Sequence, residues 1–232
     1  MELLNKVVAV TGAFGSLGAA VVRAAQSQGA IVAALDRAAL PHEVAALSGA
    51  HLYGGLDLGD ESIAKRAFDH IASEHGGLDM LVNVAGSFRW ETLAEGKLDT
   101  WDFLYRVNLR TAAAASQAAL PHLIARGSGG RIVNIGAAGA SRATTGMGAY
   151  AASKAGVARL TEALAEELKD QGITVNAVLP SIIDTAPNRA DMPDADFSRW
   201  VTPAQLAEVI AFLLSPRAQA ITGALIPVTG RV

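Results

Sequence analysis

The stretch that most constrains the fold runs from Val7 to Asp36. Residues 7–10, Val7-Val8-Ala9-Val10, form a short unbroken apolar run, as expected of a strand buried on both faces. It passes straight into Thr11-Gly12-Ala13-Phe14-Gly15-Ser16-Leu17-Gly18 and then into the helix-forming residues 19–28. Gly29 closes that helix, and residues 31–35 make a second buried strand that ends at Asp36. A strand, a glycine-rich turn, a helix and a second strand form a βαβ unit. Its glycines allow a tight turn and let backbone amides approach a pyrophosphate at the helix N-terminus. Asp36 then stands where a carboxylate can accept hydrogen bonds from an adenosine ribose. A 2′-phosphate beside Asp36 would be repelled, which favours NAD. Arg37 could offset a phosphate, so NADP stays as the alternative.

The same alternation continues. Strands are expected at 51–57, 78–84, 131–135, 173–179 and 224–228. Helices are expected at 41–47, 61–75, 101–126, from Met147 to about Asp170, and from Thr202 to about Ser215. Thr202 reads as an N-cap with Pro203 in first position. Strands alternating with helices throughout predict an α/β fold. The expected form is one doubly wound domain over 1–232, with about seven parallel strands and helices on both faces. Residues 181–202 lack either periodicity and are expected to be an irregular lid or substrate loop. The strand ending in Asn83-Val84-Ala85-Gly86 adds a second small-residue turn at the edge where ligands collect in parallel sheets.

Tyr150 and Lys154 stand four apart in the Ala-rich helix, so they share one face. A phenol is a poor acid or base near neutrality, and a nearby ammonium favours its ionised form. The pair is therefore expected to transfer protons near pH 7. Asn108 is unfavourable inside a helix, unless capping or exposure accounts for it.

Composition narrows the field. A formal charge of −3 over 232 residues gives no support to nucleic-acid or anionic membrane binding. Zero cysteines exclude disulfides and thiolate metal sites and fit a reducing cytosol. The N-terminal residues lack a signal-peptide pattern, and no uncharged apolar stretch could span a bilayer. A cytoplasmic protein acting on a small molecule is expected. His42, His51, His70, His75 and His122 are scattered without ligand spacing, so no metal site is expected.

Together, the glycine turn, Asp36, the Asn83 turn, Asn108, Tyr150 with Lys154, and Pro180 with Thr185 resemble the short-chain dehydrogenase/reductase family over essentially the whole chain. The resemblance implies an NAD(P)-dependent oxidoreductase with Tyr150 as proton donor or acceptor. Lys154 would lower the Tyr150 pKa and bind nicotinamide ribose, and Asn108 would hold a water in a proton relay. Thr185 would contact the carboxamide and Asp57 the adenine. Cofactor contacts are expected from Gly12, Phe14, Gly15, Ser16, Leu17 and Gly18, from Asp36, Arg37, Asp57 and Leu58, and from Asn83, Ala85, Gly86, Pro180, Ile183 and Thr185, besides Tyr150 and Lys154. The family's usual pairing of two helices across an interface implies a homodimer or homotetramer through residues 112–119 and 151–158. Internal packing would explain those alanines equally well.

Two positions depart from the family pattern. Ser16 stands where the middle glycine usually lies, and Ala137 where the catalytic serine does. Losing an oxyanion-type donor costs a carbonyl reductase on the order of 3 kcal/mol. Ser141, Thr144 and Thr145 are the nearest substitutes. Both departures resemble the dihydropteridine reductase branch. So do the approach Thr145-Gly146-Met147-Gly148-Ala149-Tyr150 and the string from Leu179 to Trp200, with Asn188-Arg189 and Met192-Pro193-Asp194-Ala195-Asp196-Phe197. That branch implies hydride transfer from NADH to a quinonoid dihydropterin, with Tyr150 protonating a ring nitrogen. Phe88 or Trp90 could stack on the heterocycle, with Ala137, Thr145, Asn188 and Trp200 beside it. Asn108 follows the broader family instead, and the rest of the Asn83 turn and the loop 87–97 also differ from that branch. The alternatives are an ordinary carbonyl reductase or alcohol dehydrogenase using a substitute hydroxyl, and a non-catalytic dinucleotide-binding sensor.

Overall fold

Unbroken apolar runs become central strands because both faces of a parallel sheet are covered. In the computed structural model, which describes residues 1–40, 47–127 and 129–232, seven strands form one parallel sheet. They are β1 (Val7–Thr11), β2 (Ile31–Leu35), β3 (His51–Tyr53), β4 (Met80–Asn83), β5 (Arg131–Ile135), β6 (Thr174–Pro180) and β7 (Leu225–Val228). Their order is β3-β2-β1-β4-β5-β6-β7. The chain reverses its direction of travel across the sheet between β1 and β4, which places a crevice at the tips of those two strands.

Alternation along each strand sorts side chains into two cores. Val8, Val10, Val32, Ala34, Val82 and Val133 face one side, under α1 (Ser16–Ser27) and α7 (Pro203–Leu214). Val7, Ala9, Ala33, Leu35, Leu81 and Ile132 face the other, under α2 (Glu61–His75), α4 (Thr111–Ala125) and α5 (Gly148–Leu168). Among the described residues, no helix is long and apolar enough to cross a membrane.

Helix ends follow the local chemistry. The Asp60 carboxylate accepts from the amides of Ser62 and Ile63 at the start of α2. Thr202 and Gln205 form a reciprocal capping box ahead of Pro203.

Three expectations need correcting. The helix expected at 101–126 is composite: α3 (Leu98–Leu104), a wide π-turn segment (Tyr105–Arg110) and then α4. The stretch 181–202 is less irregular than expected. It holds the short helix α6 (Ala186–Asp191), capped by Thr185, and a 3₁₀ turn (Phe197–Arg199), while Ile183 bridges to Val201. Six residues are too few for apolar periodicity to register, and Pro187 sits in the first turn, where a missing N–H costs nothing. The third strand stops at Tyr53 rather than reaching residue 57. The short helix expected at 41–47 lies outside the described residues, except for Leu47, which is buried.

Candidate active site

The strand tips, the α1 turn and the segment after β6 enclose a cleft of about 1190 Å³. Its floor is shaped by close backbone approach. Gly12 has φ +64°, and a Cβ there would stand 2.7 Å from the Ala85 backbone. A Cβ on Gly18 would stand 2.1 Å from the Gly12 carbonyl oxygen. Neither position tolerates a side chain. Gly15, by contrast, has only the Gly12 oxygen nearby, at 3.5 Å. Ser16, at the position of the usual middle glycine, is exposed as the first residue of α1. α1 begins without a side-chain cap on its first amides, so they remain available to an anion. The Thr11 hydroxyl oxygen accepts from the Ala85 amide at 3.2 Å and fixes the β1 and β4 tips together.

Asp36 ends β2 and lines the cleft. Its carboxylate accepts from the Phe14 amide at 3.0 Å and the Ala38 amide at 2.9 Å. Asp36 thus also holds the glycine turn. Asp57 lines the cleft and accepts from the Gly59 amide at 3.1 Å and from Arg106 at 2.8 Å. A glycine cradle, free helix-start amides and an acid at the β2 tip fit a nicotinamide dinucleotide.

Tyr150 and Lys154 both line the cleft from α5. Lys154 is buried and donates to the Ile135 carbonyl at 2.7 Å. Burial pulls its ammonium down to about 8 and pushes the Tyr150 phenol up to about 12. The sequence expectation that Lys154 lowers Tyr150 is not what the structure gives, because desolvation dominates both groups. Phe88 meets the Tyr150 ring edge-on with centroids 5.0 Å apart.

Asn108 sits in the π-turn, is buried, and does not line the cleft. Its Oδ1 accepts from the Ser87 amide at 2.8 Å. Its Nδ2 donates to the Ser87 carbonyl at 3.1 Å and to the Ser153 hydroxyl at 2.9 Å. Ser153 in turn donates to the Tyr150 carbonyl at 2.7 Å. Both amide hydrogens of Asn108 are thus spent clamping the loop after β4 to α5.

Three other expected contacts lie outside the cleft lining. Asn83 points into the protein and donates to Ser116 at 3.1 Å and to Asn134 at 2.9 Å, because strand alternation turns it away from the tip. Thr145 is exposed. Trp200 is buried against Phe197, with centroids 4.8 Å apart. Ser141 and Thr144 also lie outside the lining, and the Ser141 hydroxyl donates to the Ala138 carbonyl at 2.9 Å. The remaining expected positions are gathered into the one cleft, including Leu17, Arg37, Leu58, Gly86, Trp90, Ala137, Pro180, Ile183, Thr185 and Asn188.

The sequence reading missed Ser87, Phe103, Arg106, Met147 and Met192 in the wall, and Ser153 behind it. Ser153 alone carried a signal, standing next to Lys154 on the helix.

The family profile described as "Enoyl-(Acyl carrier protein) reductase" matches residues 12–230. D-threitol dehydrogenase from Mycolicibacterium smegmatis is 33% identical, over 99% of this chain and 93% of that protein. A short-chain dehydrogenase/reductase from Serratia marcescens superposes with a TM-score of 0.88 at 33% identity, over 99% of this chain and 98% of that one. A short chain dehydrogenase from Burkholderia cenocepacia, solved in complex with NADP, gives a TM-score of 0.85 at 33% identity with the same coverage.

Proposed function

The chain belongs to the short-chain dehydrogenase/reductase family and is an NAD(P)-dependent oxidoreductase; on that premise we propose that it works as an NADH-dependent reductase in which Tyr150 gives a proton to a flat nitrogen heterocycle of the dihydropterin type. The observation carrying this reading is the lining around the phenol. Ala137 lines the cleft where the family pattern has a hydroxyl, while Ser141, Thr144 and Thr145 stay out of it. A ring nitrogen needs one acid and no second donor, whereas a carbonyl oxygen gains from two.

A bound nicotinamide supplies the hydride. The rest falls to the chain's own residues. Burial keeps Tyr150 protonated at neutral pH, so it enters the reaction as the proton donor, though a weaker acid than a free phenol. The Lys154 ammonium spends one of its three hydrogens on Ile135 and keeps two for ribose hydroxyls. Thr185 accepts from the Asn188 amide at 3.4 Å, leaving its own hydrogen to donate to a carboxamide. Asp36 favours NADH, and residues 181–202 serve as the lid. Phe88, exposed on its outer side, offers an aromatic edge to a planar substrate. The same proposal includes a homodimer or homotetramer, to be resolved by sedimentation velocity.

A second reading, interconversion of an alcohol and a carbonyl, is favoured by the similarity to D-threitol dehydrogenase. In it Ser87, a hydroxyl that does line the cleft, becomes the second donor. The test is NADH and NADPH oxidation with quinonoid dihydropterin against a panel of ketones and aldehydes. A preference for dihydropterin of a hundredfold or more in kcat/KM supports the first reading. A preference for ketones moves the assignment to the second. Tight NADH binding without turnover of any substrate supports a sensor.

A further inference from the structure

Away from the cleft, three imidazoles, a carboxylate and a phenol meet where the edge strand β3 lies beside the last turn of α2. His51 Nδ1 is 3.7 Å from Glu74 Oε1, and His70 Nε2 is 3.3 Å from Glu74 Oε2. The Tyr53 hydroxyl donates to Glu74 Oε2 at 2.7 Å and lies 3.1 Å from His75 Nε2. The His51 and His75 rings meet edge-on, with centroids 4.3 Å apart. One ligand atom from each of His51, Glu74 and His75 falls within 4.8 Å of the others. None of these residues lines the cleft, and hydride transfer makes no use of them. The histidines that looked scattered in sequence are therefore partly gathered: β3 brings His51 to the two carried by α2.

We propose that this corner binds a divalent transition-metal ion of the zinc type, held by His51, Glu74 and His75, with water completing its coordination. Two imidazole nitrogens and one carboxylate oxygen suit Zn²⁺, Co²⁺ or Ni²⁺, while Mg²⁺ and Ca²⁺ favour all-oxygen shells. At zinc-ligand bonds of about 2.0–2.2 Å, tetrahedral ligand atoms stand roughly 3.4 Å apart. Closing from within 4.8 Å needs only side-chain rotation. His51, at 45% exposed, has the room to make most of that rotation. Tyr53 and His70 flank the carboxylate and hold its orientation, the supporting role that hydrogen-bonded neighbours play around metal ligands. Two ligands come from one rigid helical turn, closed by Gly76 in the left-handed region. The third comes from a three-residue edge strand. A bound ion would pin that strand to α2, away from the chemistry.

The test is a titration of the untagged full-length chain with Co²⁺, followed by visible absorption, with displacement by Zn²⁺. We expect one saturable Co²⁺ per chain with the intense ligand-field bands of a four- or five-coordinate ion. Glu74→Gln and His75→Gln should each weaken Co²⁺ binding by at least tenfold. His122→Gln, at a histidine bonded instead to Asp69, should leave it unchanged. Circular dichroism checks each variant's fold, and His51→Gln on the exposed strand start serves where Glu74→Gln loses it. The proposal is overturned if no saturable site is found up to millimolar Co²⁺, if affinity survives the Glu74 and His75 replacements, or if His122→Gln weakens it equally.

Discussion

Lys154→Met should make the protein more stable and less active at once. The drop in the Lys154 pKa from 10.5 to about 8 means that holding the ammonium buried costs about 3 kcal/mol at pH 7. Methionine keeps the length of the stem and removes the charge. It also strips the Ile135 carbonyl of its 2.7 Å donor, a loss of roughly 1–3 kcal/mol. The net at pH 7 is a gain of about 1 kcal/mol. The pH dependence is the sharper signature. Because the folded pKa lies below the unfolded one, the parent's stability rises with pH between about 8 and 10.5, as its folded lysine sheds the proton first. The variant lacks that rise, so its advantage should shrink by about 3 kcal/mol and turn into a deficit by pH 10.5. Tyr150, raised to about 12, is present in both proteins, and its own destabilising titration above pH 10 cancels in the difference. Urea unfolding of parent and variant without added dinucleotide, at pH 7 and pH 10.5, measures this directly. An identical stability difference at both pH values would refute the claim that Lys154 carries a desolvated charge.

Tyr150→Phe keeps the edge-on ring contact with Phe88 and removes the acid. Turnover should fall by about 10²–10⁴, with NADH affinity from fluorescence titration changed by less than about threefold; a variant that still turns over would shift the acid elsewhere. In Gly86→Ala, the added Cβ would stand 2.8 Å from Asn108 Oδ1 and 3.3 Å from Lys154 Nζ. Steady-state kinetics should show a loss of roughly 10–100-fold, and unchanged kcat would show that the clamp is not needed. Asp36→Ser removes the acid at the β2 tip. The NADPH-to-NADH ratio of kcat/KM should rise at least about tenfold, and a fixed ratio would assign cofactor choice to Arg37 or another group.

The sheet was legible because its strands are continuous apolar runs, and α7 because Thr202 and Pro203 announce its start. Most of the cleft followed from the glycine turn and the two strand tips. What stayed hidden depended on tertiary partners. Asn108 looked like a poor helix residue, but nothing in its neighbours' identities announced a π-turn or the hold on Ser87 and Ser153. Asn83 was assigned to the cleft by its place in the chain, while the direction of its side chain is fixed by pairing with β1 and β5. The lysine's effect on the phenol was judged from spacing alone, which carries no information about desolvation. The histidine corner joins His51 on β3 to neighbours on α2, a meeting made by the fold that no spacing rule registers.

The π-turn at Tyr105–Arg110 has one more consequence. Such a turn houses one extra amino acid, leaving the helix before it and the helix after it out of phase by about 100°. Two residues apart, Arg106 reaches outward to Asp57 and Asn108 faces inward to Ser153, and the offset sets how that pair is turned relative to the helices on either side. The segment is therefore governed by a count of residues as much as by their kinds: shortening it by a single amino acid would rewind it into an ordinary helix and carry Asn108 away from the loop it grips.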